Sequence, residues 1–155
     1  MSALLDALSG VPNASQPLPH LVTGGQPTPR HLEALKAAGV EIIIDIRDPM
    51  EPRGFDEPAL VRSLGMRYAN VSVLQGALND ATMDAVLAEL RRDEGHPTLL
   101  HCASANRVGG ALIPYLRLDK GMSEDDAVEA AMRVGLRAAD LLEWGLEYAR
   151  RKTGG

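Results

Sequence analysis

Ile42-Ile43-Ile44 comes three residues after Gly39 and runs into Asp45, Ile46 and a proline-rich acidic stretch. The run is too short for a helix and apolar at every position, so it cannot be a strand with one wet face. It is the pattern of a strand buried on both sides, which is how parallel strands sit. Three further segments read as strands: His20–Thr23, about Arg67–Val73, and Pro97–His101. Between them lie segments with helical spacing. Thr28-Pro29 offers an N-cap and a first-turn proline, and Gly39 closes that helix. A short helix spans about Pro58–Leu64. Asp80–Arg92 carries Met83, Val86, Leu87 and Leu90 on one face. Helices are also expected from about Ala105 to Asp119, from Ser123 to near Gly135, and from about Arg137 to Arg151. Strands alternating with helices predict an α/β fold, a three-layer α/β/α sandwich around a mostly parallel sheet of four or five strands. Ligands of such sheets bind beyond the carboxyl ends of the strands, so the residues after His101 become the first place to look.

At 155 residues the chain has room for one domain, here assigned to residues 20–150. Residues 1–19 read as an N-terminal arm, with a short turn or helix near Ser2–Leu8 and then an irregular polar stretch. Residues 151–155 read as a flexible tail. A net charge of −5 argues against a nucleic-acid partner, although a pocket can be locally positive on an acidic protein. No apolar run reaches the length of a membrane span, and Arg30 is the first basic residue, so no secretory signal is read. Cys102 is the only cysteine, which excludes an internal disulfide and makes a reducing, cytoplasmic compartment the expected setting. Neither histidine pairs nor carboxylate clusters occur at ligand spacing, so no metal or other cofactor is expected.

The segment His101-Cys102-Ala103-Ser104-Ala105-Asn106-Arg107-Val108-Gly109-Gly110 joins an expected strand end to an expected helix start. Backbone amides of such a loop can converge on one point, and the helix N-terminus adds partial positive charge there. The same field favours a thiolate at Cys102. Arg107 can fold back and offer a planar fork to two oxygens of a tetraoxo anion. Thiolate, amide cradle and guanidinium together suit in-line attack on a phosphoryl group. Cysteines at apolar strand ends also occur simply as small buried hydrophobes.

His101 to Gly110 is similar to the signature loop of cysteine-dependent protein phosphatases. Taken with Thr23-Gly24-Gly25-Gln26-Pro27-Thr28 and Ile43-Ile44-Asp45-Ile46-Arg47, it resembles the bacterial beta-lactamase-hydrolase-like group of phosphatase-like domains, relatives of the dual-specificity phosphatases. The resemblance runs from about Leu21 to Leu146. It implies a cysteine-phosphatase fold and a phosphorylated protein or small molecule as substrate. It further implies Cys102 as nucleophile, Arg107 as the phosphate-binding arginine, and the backbone of Ala103, Ser104, Ala105, Asn106 and Arg107 as the cradle. His101 would orient the loop or tune the thiolate, or else serve as an ordinary core histidine. Four residues separate Cys102 from Arg107 where the main signature has five, and Val108 stands where that signature has a hydroxyl residue.

A phosphatase of this kind also needs an acid for the leaving oxygen. The resemblance directs attention to Val73–Asp80, where Asp80 is the single carboxylate; it serves either as that acid or as the N-cap of the next helix. Asp45, Asp48 and Glu51, after the isoleucine strand, are weaker candidates. Two other functions fit the cysteine loop. One is a rhodanese-like sulfurtransferase carrying a persulfide on Cys102, which Ile44-Asp45-Ile46-Arg47-Asp48 also resembles. The other is a non-catalytic phosphate-binding module.

Overall fold

The computed structural model describes residues 2–154, so Met1 and Gly155, the outermost residues of the expected arm and tail, lie outside it. Its sheet has five strands: β1 (Ser15–Leu18), β2 (Leu21–Gly24), β3 (Ile42–Asp45), β4 (Arg67–Asn70) and β5 (Thr98–His101). They lie in the order β1-β2-β5-β3-β4, with β1 antiparallel to β2 and every other pair parallel. Seven α-helices cover it: α1 (Ala3–Asp6), α2 (Pro29–Ala37), α3 (Glu57–Ser63), α4 (Asp80–Arg92), α5 (Asn106–Pro114), α6 (Glu124–Val134) and α7 (Ala139–Thr153). The expected mostly parallel three-layer sandwich is the observed fold.

The two sheet faces build two cores. Ile42, Ile44 and Leu100 face the layer of α4 to α7, where they meet Met83, Val86, Leu112, Val134 and Leu141. Ile43 and Leu99 face α2 and α3, where Leu32, Leu35 and Val61 join them. β3 and β5 are buried at every position, so their sequences show no alternation. The registers Gly24↔His101, Asp45↔His101 and Asp45↔Asn70 set four strand ends in one row. Polar chemistry therefore gathers along a single sheet edge.

Three local readings need correction. The stretch through Pro19 expected to be irregular contains β1, an edge strand whose Pro17 needs no ladder partner on its open side. Leu8 and Val11 of the expected arm are buried in one core with Val22 and Leu35, so the arm packs on the domain beneath α2. The helix expected to reach Asp119 stays α-helical only to Pro114, because proline lacks the N–H of the next ladder bond; Tyr115–Asp119 follows as a wider π-turn. At the other end, α7 continues through Arg151 to Thr153. Helices α5 and α7 pack closely because Gly145 has no side chain. A Cβ there would stand 2.4 Å from the Gly110 carbonyl oxygen. The Gly-Gly pair after Val108 thus serves helix packing. Among the described residues no helix is long and apolar enough to cross a membrane.

Candidate active site at the Cys102 loop

His101 is the last residue of β5 and Arg107 lies in the first turn of α5, so Cys102 to Ala105 form the tight connection between them. Three anchors shape it. The Cys102 carbonyl accepts from His101 Nδ1 at 3.2 Å, that of Ala103 from the Gln26 amide at 3.1 Å, and that of Ser104 from Asn13 Nδ2 at 2.8 Å. In a planar trans peptide the N–H points opposite to the preceding C=O. Pulling three carbonyls outward therefore turns the amides of Ala103, Ser104 and Ala105 inward. The Ala105 amide donates to Cys102 Sγ at 3.1 Å. Ala105 itself is left-handed, with φ 74°, a strained value for alanine that sets the helix start. Gly25 lets β2 approach this close, since a Cβ there would lie 2.4 Å from the Ala103 carbonyl oxygen.

Arg107 can be accounted for donor by donor. Nη1 donates to Glu51 Oε2 at 2.8 Å and to the Val73 carbonyl at 3.2 Å, and Nη2 donates to Glu51 Oε1 at 3.0 Å. A guanidinium has five N–H groups. Glu51 holds the end of the fork, which leaves Nε–H and the second Nη2–H, the parallel pair along one side, without a carboxylate partner and able to take two anion oxygens. Glu51 is held down to about 2, chiefly by the Arg107 hydrogen bonds, against the opposing effect of burial and with help from the Asp48 amide and Arg47. It is a permanent carboxylate that orients Arg107, and it holds no proton to give near neutrality. Arg107 is raised in turn, first by Glu51, with the nearby Cys102 sulfur contributing.

Behind the loop lies a buried charge network. His101 Nε2 meets Glu57 Oε2 at 2.5 Å, and both side chains are fully buried. Burial alone would lower the imidazole. Glu57 and then Asp45 outweigh it, with the Cys102 carbonyl helping, so His101 is raised above its ordinary value, and both ring nitrogens face acceptors, the Glu57 carboxylate and the Cys102 carbonyl. Arg53 balances the second carboxylate, with Nη2 2.6 Å from Asp45 Oδ2 and Nε 3.3 Å from Glu57 Oε1. Tyr68 OH donates to Asp45 at 2.7 Å. Asp45, Glu57 and His101 offer ligand atoms within 4.8 Å of one another, a convergence that their sequence spacing concealed. This donor set does not fit a metal ion, because the protein's own cations already face both carboxylates. Gln26 donates to Glu57 and accepts from Arg47, and Arg47 donates to Glu51. Side chains thus link the Cys102 loop to the carboxylate that holds Arg107.

The other expected residues fall as follows. Ser104 is exposed at the loop's crest. The Asn106 side chain faces away from the cradle and accepts from the amides of Arg137 and Ala138, at 2.7 and 3.1 Å, tying the start of α7 to the loop. Val108 is fully buried among apolar neighbours. The N-cap expected at Asp80 is Asn79, whose side chain accepts from the Thr82 amide, and Asp80 pairs with Arg151. Asp48 accepts from the Met50 amide and the Ser72 hydroxyl. Asn13, Gln26, Arg53 and Glu57 were not singled out for the site. Gln26 lay inside a recognised motif but read as turn chemistry, and nothing local marks the other three.

No family model matches the chain, and no curated protein matches it. Solved structures do. A candidate phosphatase (DUF442) from Shewanella putrefaciens CN-32 is 21% identical with a TM-score of 0.81, covering 95% of this chain and 97% of its own. Tk-PTP in its active form is 17% identical with a TM-score of 0.76, covering 90% and 98%. TpbA of P. aeruginosa is 20% identical with a TM-score of 0.71, covering 92% and 86%. The chain has the fold these phosphatase structures share.

Proposed function

We propose that the chain is a cysteine-dependent phosphatase that hydrolyses phosphate monoesters, of aryl phosphate or phosphotyrosine type, through a phosphocysteine intermediate. We further infer that it belongs with the beta-lactamase-hydrolase-like phosphatase-like domains. One observation carries the reading: Cys102 Sγ lies beneath inward-turned amides, beside an arginine whose side fork has no carboxylate partner and whose other edge Glu51 has fixed. A dianionic phosphoryl group fits that arrangement, with two oxygens on Arg107 and the third on the amides. Cys102 attacks phosphorus in line, the P–O bond to the leaving group breaks, and water then cleaves the P–S bond. Val108 has no hydroxyl to donate to the departing sulfur, so the second step is the slow one. TpbA, in a cysteine-to-serine form, has been captured with phosphotyrosine, which supports the same substrate class here. A free thiol nucleophile suits a reducing cytoplasm.

The decisive assay compares aryl phosphate hydrolysis with thiosulfate-to-cyanide sulfur transfer in wild type and Cys102→Ser. Phosphate hydrolysis that disappears in Cys102→Ser is the expected outcome. Sulfur transfer without hydrolysis would make the chain a sulfurtransferase. Phosphate binding with neither activity would make it a binding module.

A further inference from the structure

We propose that Asp140 is the general acid of this site, a role that rests on the phosphatase reading. In-line attack by the buried Cys102 sulfur pushes the leaving oxygen out on the solvent side. The acid must therefore stand at the mouth of the loop, with a carboxyl group not already committed to a cation.

Three carboxylates at this sheet edge are committed to cations. Asp45 is held by Arg53 and Tyr68, Glu51 by Arg47 and Arg107, and Glu57 by His101 and Gln26. Asp48 accepts from Ser72 and the Met50 amide, and Asp80 is paired with Arg151 on the α4–α7 side. Asp140 is exposed. Among the described residues its side-chain partners are the amide of its neighbour Leu141 at 2.9 Å and Gln75 Nε2, at 3.4 and 3.5 Å.

Two independent tethers bring Asp140 to the mouth. On one side Asn106, the residue before Arg107, holds the amides of Arg137 and Ala138, and Asp140 is two residues further on. The Leu141 carbonyl lies against Gly110, one turn along the same α5 helix: a Cβ on Gly110 would be 2.8 Å from that oxygen. On the other side Gln75 stands two residues after Val73, whose carbonyl accepts from Arg107 Nη1. Asp140 and Gln75 therefore meet across the opening between the two walls that position the guanidinium.

As the P–S bond forms, the electron pair of the breaking P–O bond goes to the leaving oxygen, and the Asp140 carboxyl proton goes with it, releasing the alcohol or phenol. The resulting Asp140 carboxylate then takes a proton from water as the water oxygen bonds to phosphorus and the P–S bond breaks, returning the Cys102 thiolate.

The test is a leaving-group series, 4-nitrophenyl, phenyl and alkyl phosphate, measured in wild type, Asp140→Asn, Asp80→Asn and Cys102→Ser. Loss of a general acid matters little when the leaving group is already stable as an anion, and costs about 10²-fold or more when it is not. Asp140→Asn should leave the 4-nitrophenyl rate within several-fold of wild type and slow phenyl and alkyl phosphates by about 10²-fold. The same leaving-group dependence in Asp140→Asn as in wild type, or a steepened dependence in Asp80→Asn alone, overturns the assignment while leaving the phosphatase reading intact. Activity that survives Cys102→Ser removes the phosphocysteine and the assignment with it.

Discussion

Replacing Glu57 with glutamine tests whether the buried network behind the cysteine loop is ionic. In the native protein His101 faces Glu57 at 2.5 Å, both fully buried, and Arg53 faces Asp45. Two cations and two carboxylates balance. Glutamine removes one negative charge, and burial then drives His101 to its neutral form, leaving Arg53 and Asp45 still balanced. The hydrogen bonds survive the exchange. The introduced amide nitrogen donates to His101 Nε2, its oxygen accepts from Gln26, and His101 Nδ1–H keeps the Cys102 carbonyl. Glu57→Gln should therefore cost about 1–2 kcal/mol, the range for exchanging charged for neutral hydrogen bonds. Glu57→Ala, which strands a buried imidazolium, should cost about 3–5 kcal/mol. The pH dependence separates them from ordinary packing defects. His101 in the fold is raised above its ordinary value of 6.5, so its contribution is complete below that pH and is lost as pH climbs through the raised value. In that window native stability should fall by up to about 1.4 kcal/mol per pH unit. Urea unfolding from about pH 6 to pH 9, in a Cys102→Ser background that removes the thiol, measures the slope. Glu57→Gln should flatten it. A native slope of zero or of opposite sign, or a slope that persists unchanged in Glu57→Gln, refutes the ionic reading.

Arg107→Lys keeps the charge but cannot hold Glu51 and present two parallel donors at once, so phosphate should protect Cys102 from iodoacetamide about tenfold less well. Equal protection would show that charge alone binds the anion. Gly25→Ala forces a methyl to within 2.4 Å of the Ala103 carbonyl oxygen, and it should lower stability by about 1–3 kcal/mol and reduce aryl phosphatase activity more than any unfolding explains. A thermal melt and a rate measured on the folded fraction test both parts. Val108→Thr supplies the missing hydroxyl one residue after Arg107, and a bond from it to the departing sulfur would raise the steady-state rate about 10–150-fold. The burst of phenol release should change less, and a stability loss with no gain in rate would show that the hydroxyl cannot reach Sγ.

The fold was legible because burial wrote itself into short segments. Ile42-Ile43-Ile44 and Thr98-Leu99-Leu100 are buried at every position, and such runs between helical patterns admit few arrangements other than a parallel sheet. β1 was not legible, since Ser15-Gln16-Pro17-Leu18 is only half-buried, carries a proline and has no alternation to detect. The π-turn after Pro114 follows from one missing N–H, which the sequence does announce. The apolar helix periodicity running past it masked the break.

The site divides by a different rule. Cys102 and Arg107 could be read because they share one loop, and local backbone geometry makes their chemistry. Glu51, Glu57, Arg53 and Asn13 act through contacts that span long stretches of chain, so no local pattern encodes them. The segment from Arg47 to Glu57 looked like an acidic, proline-rich excursion. Instead it delivers one carboxylate to each end of the cysteine loop: Glu51 to Arg107 and Glu57 to His101, with Gln26 and Arg47 joining the two. Charge count explains why so many acidic residues are tolerated there. Arg47 and Arg107 both meet Glu51, His101 meets Glu57 and Arg53 meets Asp45, so these three carboxylates offset cations that would otherwise be buried unpaired. The negative composition that argues against nucleic acid is thus spent, in part, on holding positive groups still. On the proposed reading such rigidity matters more than a positive surface, because a guanidinium already oriented loses little entropy when phosphate arrives.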